Sequence, residues 1–293
     1  MSVTVKYKGS AIAELTDNGT KTLTTSGKYC EADIVIENTK DGGSDITDGI
    51  AVKARDADGY ATDIDFYGTQ VYPYQFYGGS AYSAAAITPF IKLKKLNTKN
   101  PLTEIKAFGL SNLPELTTQG LDLSNVVTIS GMGRGTGKNA GSFDIILPAC
   151  ETIGANCFDG GGVTKISAPI CTRLGNAAFQ NCTRLTEAVF PHVQQIGTYT
   201  ARMFQGCTAL VSLTVGSIGY GVSGWGADNY KNCTQEGLTI TMYAVGEKVD
   251  SLLANIRNGA TNATIIIKAS EATTYNGADY AAGDTIVTSE VTA

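Results

Sequence analysis

Histidine occurs once and tryptophan once in 293 residues, and no pair of cysteines is spaced C-x-x-C. Each scarcity removes a class of function. With His192 as the sole imidazole, a catalytic triad of nucleophile, base and orienting group lacks its usual base. His192 falls at Pro191-His192, a variable position in the repeats described below, and reads as an exposed repeat residue. Without a cysteine pair or a second histidine the chain offers no zinc set. Charged residues make up only 17%, with a formal net charge of −5, so there is no clustered basic surface to hold nucleic-acid phosphates. No apolar run approaches the ~18 residues that span a bilayer, which argues against membrane insertion. The opening segment MSVTVKYKGS has no basic stretch followed by an apolar core, so no secretory signal is expected.

Near-matches to binding loops also fail on inspection. Gly131-Met-Gly-Arg-Gly-Thr-Gly-Lys138 looks like a phosphate loop, but Met132 stands where the first glycine of G-x-x-x-x-G-K-[ST] belongs and Asn139 replaces the hydroxyl residue. Thr136 likewise breaks the dinucleotide pattern G-x-G-x-x-G. The segment reads instead as a flexible, surface-exposed insertion. Asp56, Asp58, Asp63 and Asp65 are close in sequence, but the distal bidentate glutamate of a calcium loop is missing. A solvated loop is the expectation there. No catalytic residue, metal or cofactor is assigned.

Glycine, by contrast, is abundant at 34 residues, and with the many threonines, serines and asparagines this suits a β-rich coil with tight turns. An apolar-Gly pair recurs at Ile153-Gly154, Leu174-Gly175, Ile196-Gly197 and Ile218-Gly219. Phe158, Phe179 and Phe204 follow the first three, and Asn181-Cys182, Gly206-Cys207 and Asn232-Cys233 recur beyond them. A period of 20 to 29 residues with leucine-like anchors marks a leucine-rich solenoid. Phe158, Phe179, Phe204, Cys182, Cys207 and Cys233 are therefore read as a buried structural ladder, the cysteines acting as small hydrophobes rather than as disulfides. Asn181-Cys-Thr183 and Asn232-Cys-Thr234 match the glycosylation sequon, as does Asn262-Ala-Thr264. The first two are taken as repeat consensus, their asparagines hydrogen-bonding loop backbone.

The chain divides into four stretches. In residues 1–40, Val3–Tyr7 alternates apolar and polar, Ile12–Leu15 and Lys21–Leu23 flank the hairpin turn Asp17-Asn18-Gly19, and Ile34–Ile36 is a further strand. They read as a small β module for anchoring or oligomerisation. Residues 41–89 read as a polar linker followed by an aromatic-rich cap. Its aromatics either close the end of the solenoid or, in the sharper reading, offer Tyr74 and Tyr77 as a stacking platform for a carbohydrate. Residues 90–245 form the solenoid, with strands centred on Leu96, Leu121–Leu123, Ile145–Leu147, Ile166, Val189, Leu213–Val215 and Leu238–Ile240. About seven irregular coils with one parallel sheet are expected. Residues 246–293 form a C-terminal cap. Val249, Leu252, Leu253 and Ile256 fall at helical spacing between Asp250 and Gly259, then come the strand Thr264–Lys268, a turn at Tyr275-Asn276-Gly277 and a last strand Thr285–Val287.

From Gly to Cys the loops lengthen along the chain, and successive insertions emerge on one side of a solenoid. The longest carries Tyr220, Trp225 and Tyr230, which are assigned as ligand-binding residues. The alternative is that Trp225 folds back over the coil edge.

The pattern I-G-x-x-A-F-x-x-C-x-x-L, carried by Leu174-Gly175, Ala178-Phe179, Cys182 and Leu185 and again by Phe204, Cys207 and Leu210, closely resembles the BspA-like bacterial leucine-rich repeats. That family consists mostly of adhesins and interaction modules, which implies a non-enzymatic binding protein. Gly160-Gly161 departs from it by replacing Asn-Cys. The stretches YKGSAIAELTDNGTKTLTTSGKYCEADIVIE and VKARDADGYATDIDFYG resemble N-terminal modules of phage and prophage tail-associated proteins of gut bacteria. This second resemblance implies a virion protein made in the bacterial cytoplasm, docked to other tail proteins through residues 1–40. It also implies a homo-oligomer, with a trimer favoured. The partner would be a protein or glycan of the host surface; the alternative is a bacterial cell-surface adhesin.

Overall fold

The computed structural model describes residues 2–7, 10–16, 35–39, 50–58, 60–71, 76, 90–106, 109–132, 135–193, 195–196, 202–218, 227–244, 260, 263–269, 273–275, 278–281 and 285–288. Among these the structure is β throughout, apart from one 3-10 turn, Ala227–Tyr230. The expected turn at 17–19, the strand at 21–23 and the helix at 249–259 lie outside the described residues.

Strands β1 (Ser2–Tyr7), β2 (Ser10–Thr16) and β3 (Val35–Thr39) form an antiparallel sheet in the order β2-β1-β3. Next come β4 (Ile50–Arg55), β5 (Ala61–Phe66) and β6 (Gln70–Val71), then β7 (Lys95–Thr98), β8 (Glu104–Ile105) and β9 (Thr128–Ile129). The repeats proper supply β10 (Asp144–Ile146), β11 (Thr152–Ile153), β12 (Lys165–Ser167), β13 (Arg173–Leu174), β14 (Glu187–Phe190), β15 (Gln195–Ile196), β16 (Ser212–Ile218) and β17 (Thr239–Ala244). The chain ends with β18 (Thr264–Ala269), β19 (Thr273–Tyr275), β20 (Ala278–Tyr280) and β21 (Thr285–Thr288).

These strands stack into two parallel ladders, not one. The first is a seven-stranded sheet, β10-β12-β14-β16-β17-β18-β21, parallel except for the antiparallel β21. The second is a six-stranded sheet of two-residue strands, β15-β13-β11-β9-β8-β6. It was invisible to periodicity because two residues cannot show alternation. The apolar-Gly pairs mark it: Ile153 and Leu174 close β11 and β13, and the glycine after each lets the preceding coil approach. A Cβ on Gly154 would stand 2.7 Å from the Ser130 carbonyl oxygen, and one on Gly175 would stand 2.3 Å from the Ala155 nitrogen. The fourth pair behaves differently, since Ile218 extends β16 in the first sheet, opposite Ala244.

The regular solenoid makes about five turns rather than seven. Leu96 lies on β7, which pairs in parallel with β5 in a separate three-stranded sheet, β4-β5-β7. Leu121–Leu123 forms no strand at all, although Leu121 and Leu123 are buried. The stacking also reaches back into the stretch expected to be linker and cap, because β5 and β6 pair in parallel with β7 and β8. There Phe76 meets Phe66 and Phe90 edge to face, with centroids 5.7 and 5.4 Å apart.

Inside, each sheet position becomes a column. Ile145, Ile166, Ala188, Leu213, Ile240 and Ile265 are in register on successive strands and all are buried. A fully buried aliphatic side chain contributes about 1.5–3 kcal/mol, whereas a backbone hydrogen bond nets about 1 kcal/mol. Columns of buried side chains therefore outweigh the two-residue ladders in holding the coils together.

Candidate ligand surface

Phe158, Phe179 and Phe204 stack face to face, with centroids 5.2 and 5.4 Å apart and ring planes within 8° and 3° of parallel. Beside them run the cysteines. Cys182 donates its S–H to the Phe158 carbonyl at 3.0 Å, Cys207 to Phe179 at 3.1 Å and Cys233 to Phe204 at 3.1 Å. Each thiol thus bonds the aromatic residue one coil below. The six described cysteines are all free and all buried. Burial pushes the thiols of Cys150 and Cys233 up to about 12 and that of Cys171 to about 11, and raises Cys157, Cys182 and Cys207 as well. Thiolates are the reactive form, so these side chains are inert.

Tyr230 corrects an expectation. It is not part of an exposed ligand loop but is 1% exposed, stacked on Phe204 with centroids 6.3 Å apart. It is the fourth rung of the aromatic column. The sequence carried the signal: Phe179, Phe204 and Tyr230 each stand three residues before a ladder cysteine. Asn229, also overlooked, fixes this rung, because its carbonyls accept from the Met203 and Phe204 amides. Tyr220, Trp225, Tyr74 and Tyr77 lie outside the described residues.

The residue before each ladder cysteine has a different role from the one expected. Asn181, Gly206 and Asn232 have φ of 58°, 77° and 66°, and Gly160 has 62° at the same place. The left-handed turn, which asparagine and glycine tolerate best, explains why the repeat selects them. It also explains Gly160-Gly161 in place of Asn-Cys. Gly160 keeps the turn, and a Cβ on Gly162 would stand 1.9 Å from the Gly137 carbonyl oxygen.

That contact belongs to the glycine-rich segment 131–141, which is not a loose insertion. Met132, Thr136, Gly137 and Ala140 are buried, and the Thr136 hydroxyl donates to the Leu110 carbonyl at 2.6 Å. The Arg184 guanidinium holds it from outside, donating to the carbonyls of Lys138 (3.0 Å), Gly137 (3.4 Å) and Gly141. The acidic group near residue 60 is likewise occupied. Asp56 accepts from the Asp58 and Tyr60 amides, and Asp65 pairs with Lys99 at 3.2 Å and Lys53 at 3.8 Å. Among the described residues no cluster of histidine, cysteine or carboxylate side chains could hold a metal ion.

What remains available is the outer face of the seven-stranded sheet. Two rows of side chains cross it in register. One runs Asp144, Lys165, Glu187, Ser212, Thr239, Thr264; the other runs Ile146, Ser167, Val189, Thr214, Thr241, Ile266. All are partly or fully exposed, alternating with the buried columns. On the first strands the charges pair with each other, Lys165 meeting Glu187 at 3.2 Å. From β16 onward both rows are uncharged. His192 is exposed in the turn after β14, outside this face. The arrangement can form many shallow contacts with something flat or extended.

Compared with known proteins, residues 140–243 match the family model of the BspA type leucine rich repeat region, in six copies. No curated protein and no solved structure matches the chain. The matched residues are β10 to β17, the part in which both ladders and the aromatic and cysteine columns are most regular. Leucine-rich repeats of this kind point to protein–protein or surface binding in general.

Proposed function

We propose that the chain is a non-enzymatic binding protein of phage or prophage tails, whose solenoid recognises a structure on the surface of a bacterial host. One observation supports the binding role above the others. Among the described residues the cysteines are walled in and Asp65 is paired with lysines, while a continuous sheet face stands open on a scaffold fixed by stacked columns. A rigid scaffold loses little conformational entropy when a partner docks. The tail assignment rests on the resemblance of residues 7–37 and 52–68, with β1–β3 as the docking module. A bacterial cell-surface adhesin would use the same face, and location separates the two. Proteomics of purified particles should find the chain in the virion; recovery only from bacterial envelopes favours the adhesin.

Binding itself is tested with fluorescently labelled full-length protein and intact host cells. Saturable adsorption is expected. Trp225→Ala should abolish it while leaving Tm nearly unchanged if the 219–226 loop contributes to recognition. A large fall in Tm would place Trp225 in the core instead. Light scattering on the full chain should report a homo-oligomer, with a trimer as the expected state. A monomer would leave residues 1–40 as a docking piece for another tail protein.

A further inference from the structure

The outer sheet face changes character at β16. Before it stand Asp144, Lys165 and Glu187; on β16, β17 and the first half of β18 stand Ser212, Thr214, Thr239, Thr241 and Thr264. The registers set them out as a grid. Ser212, Thr239 and Thr264 form one row, and Thr214 and Thr241 form the next. Strand spacing puts neighbours in a row about 4.8 Å apart, and the rows about 6.6 Å apart. Glu187 and Val189 border the grid on β14, with Ile266 and Lys268 on β18.

Several hydroxyls of other coils are used internally. Thr98, Thr103, Thr117, Thr136 and Thr186 all spend theirs on a carbonyl of a neighbouring coil. In the grid only Thr239 has an internal acceptor, the Gly237 carbonyl at 3.5 Å. The hydroxyls of Ser212, Thr214, Thr241 and Thr264 bond to no protein group among the described residues. Each can donate one hydrogen bond and accept two. All five residues are partly exposed.

We propose that this grid is a binding site for a neutral, polyhydroxylated ligand, a short stretch of uncharged glycan lying across β16, β17 and β18. The argument is one of complementarity. A ligand bearing carboxylate, phosphate or sulfate would lose hydration over the two hydroxyl rows, which carry no charge of their own, with Lys268 standing at their border. A strongly cationic ligand finds its countercharges off the grid, at Asp144 and at Glu187, the latter already paired with Lys165. A sugar ring both donates and accepts hydrogen bonds, as the grid does. The threonine methyl groups between the hydroxyls supply apolar contact for the C–H faces of the rings. The inference deepens the host-recognition reading and rests on it, because it names the ligand class and the strands that hold it.

Full-length protein is applied to an array of neutral hexose and N-acetylhexosamine oligosaccharides alongside sulfated and uronic-acid oligosaccharides. The same samples are tested for adsorption to host cells. Selective binding to neutral members is expected, little affected by raising salt from 50 to 500 mM. The double variant Thr214→Val with Thr241→Val keeps shape and β propensity while deleting two free hydroxyls. It should bind at least tenfold more weakly with Tm unchanged. Lys165→Gln, on the charged half of the face, should bind as the parent does. The proposal is overturned if only anionic members bind, if no member binds although cells do, or if the valine variant binds normally. Those outcomes leave the general binding role standing. Absence of any cell adsorption by the parent protein would remove that role as well.

Discussion

The ring of Tyr230 lies over Phe204 with the two planes 13° from parallel, so a tyrosine continues a stack that three phenylalanines begin. Burial and stacking make this ring structural. Tyr230→Phe keeps both and should change stability by less than about 1 kcal/mol. Tyr230→Ala opens a cavity beneath the 3-10 turn and should cost about 3–5 kcal/mol. Urea denaturation of the two variants checks the difference; equal effects would show that the ring does not matter.

What was legible in the sequence had a long, repeated period. The columns through Ile145, Ile166 and Leu213 and the positions of Phe179 and Cys182 follow from spacing alone. The second sheet escaped because its strands are two residues long and their glycines look like turns. Tyr230 escaped because the preceding loop is the longest of the series, which drew it into a group with Trp225. Its distance of three residues from Cys233 was the better guide. The 131–141 segment misled for a different reason. A run of glycines signals flexibility in isolation, but here Met132, Thr136 and Ala140 are buried and Gly162 packs against the Gly137 carbonyl. The hydroxyl grid was beyond sequence reading, because it depends on which strands become neighbours.

The buried thiols give the protein a characteristic alkaline sensitivity. Each native thiol titrates well above its unfolded value of about 8.5, so between the two values the folded chain holds more protons than the unfolded one. Stability should be complete below that range and decline as pH rises through about 8.5 toward 11. Guanidinium midpoints between pH 7 and 10.5 should therefore fall. A triple variant with Ala at Cys182, Cys207 and Cys233 should be less stable at pH 7 and fall less steeply. A midpoint independent of pH would contradict the burial.

In the native state the same thiols should resist modification. Labelling with a maleimide at pH 7 should leave Cys182, Cys207 and Cys233 intact until denaturant is added. Cys207→Ser retains a donor for the Phe179 carbonyl and should cost only about 1–2 kcal/mol. Rapid native labelling would mean that the coils open locally.

The left-handed turns predict an asymmetry between two neighbouring positions. Asn181→Gly suits a φ of 58° and should be tolerated. Gly206→Ala is expected to destabilise by about 1–2 kcal/mol from the backbone alone. The added Cβ would also stand 2.7 Å from Asn181 Oδ1, which increases the cost. Thermal melts of the single and double variants test the coupling. If Asn181→Gly relieves part of the Gly206→Ala loss, the two turns share that contact; strict additivity would exclude it.

Arg184 ties together coils that are not adjacent. Its guanidinium reaches carbonyls 43 to 47 residues earlier in the chain. A planar fork can serve several carbonyls at once, whereas a lysine ammonium is a single point of charge. Arg184→Lys should therefore recover little of what Arg184→Ala loses, about 1–2 kcal/mol for a partly solvated group of bonds. The loss should be local. The Gly137 and Asn139 amides bond the Leu113 and Pro114 carbonyls, and their hydrogen exchange should quicken in both variants. Exchange at the Ile166 amide, in the middle of the sheet, should be unaltered. Unchanged exchange at Gly137 and Asn139 would mean that the buried Thr136 and the stacked glycines hold the segment without the arginine.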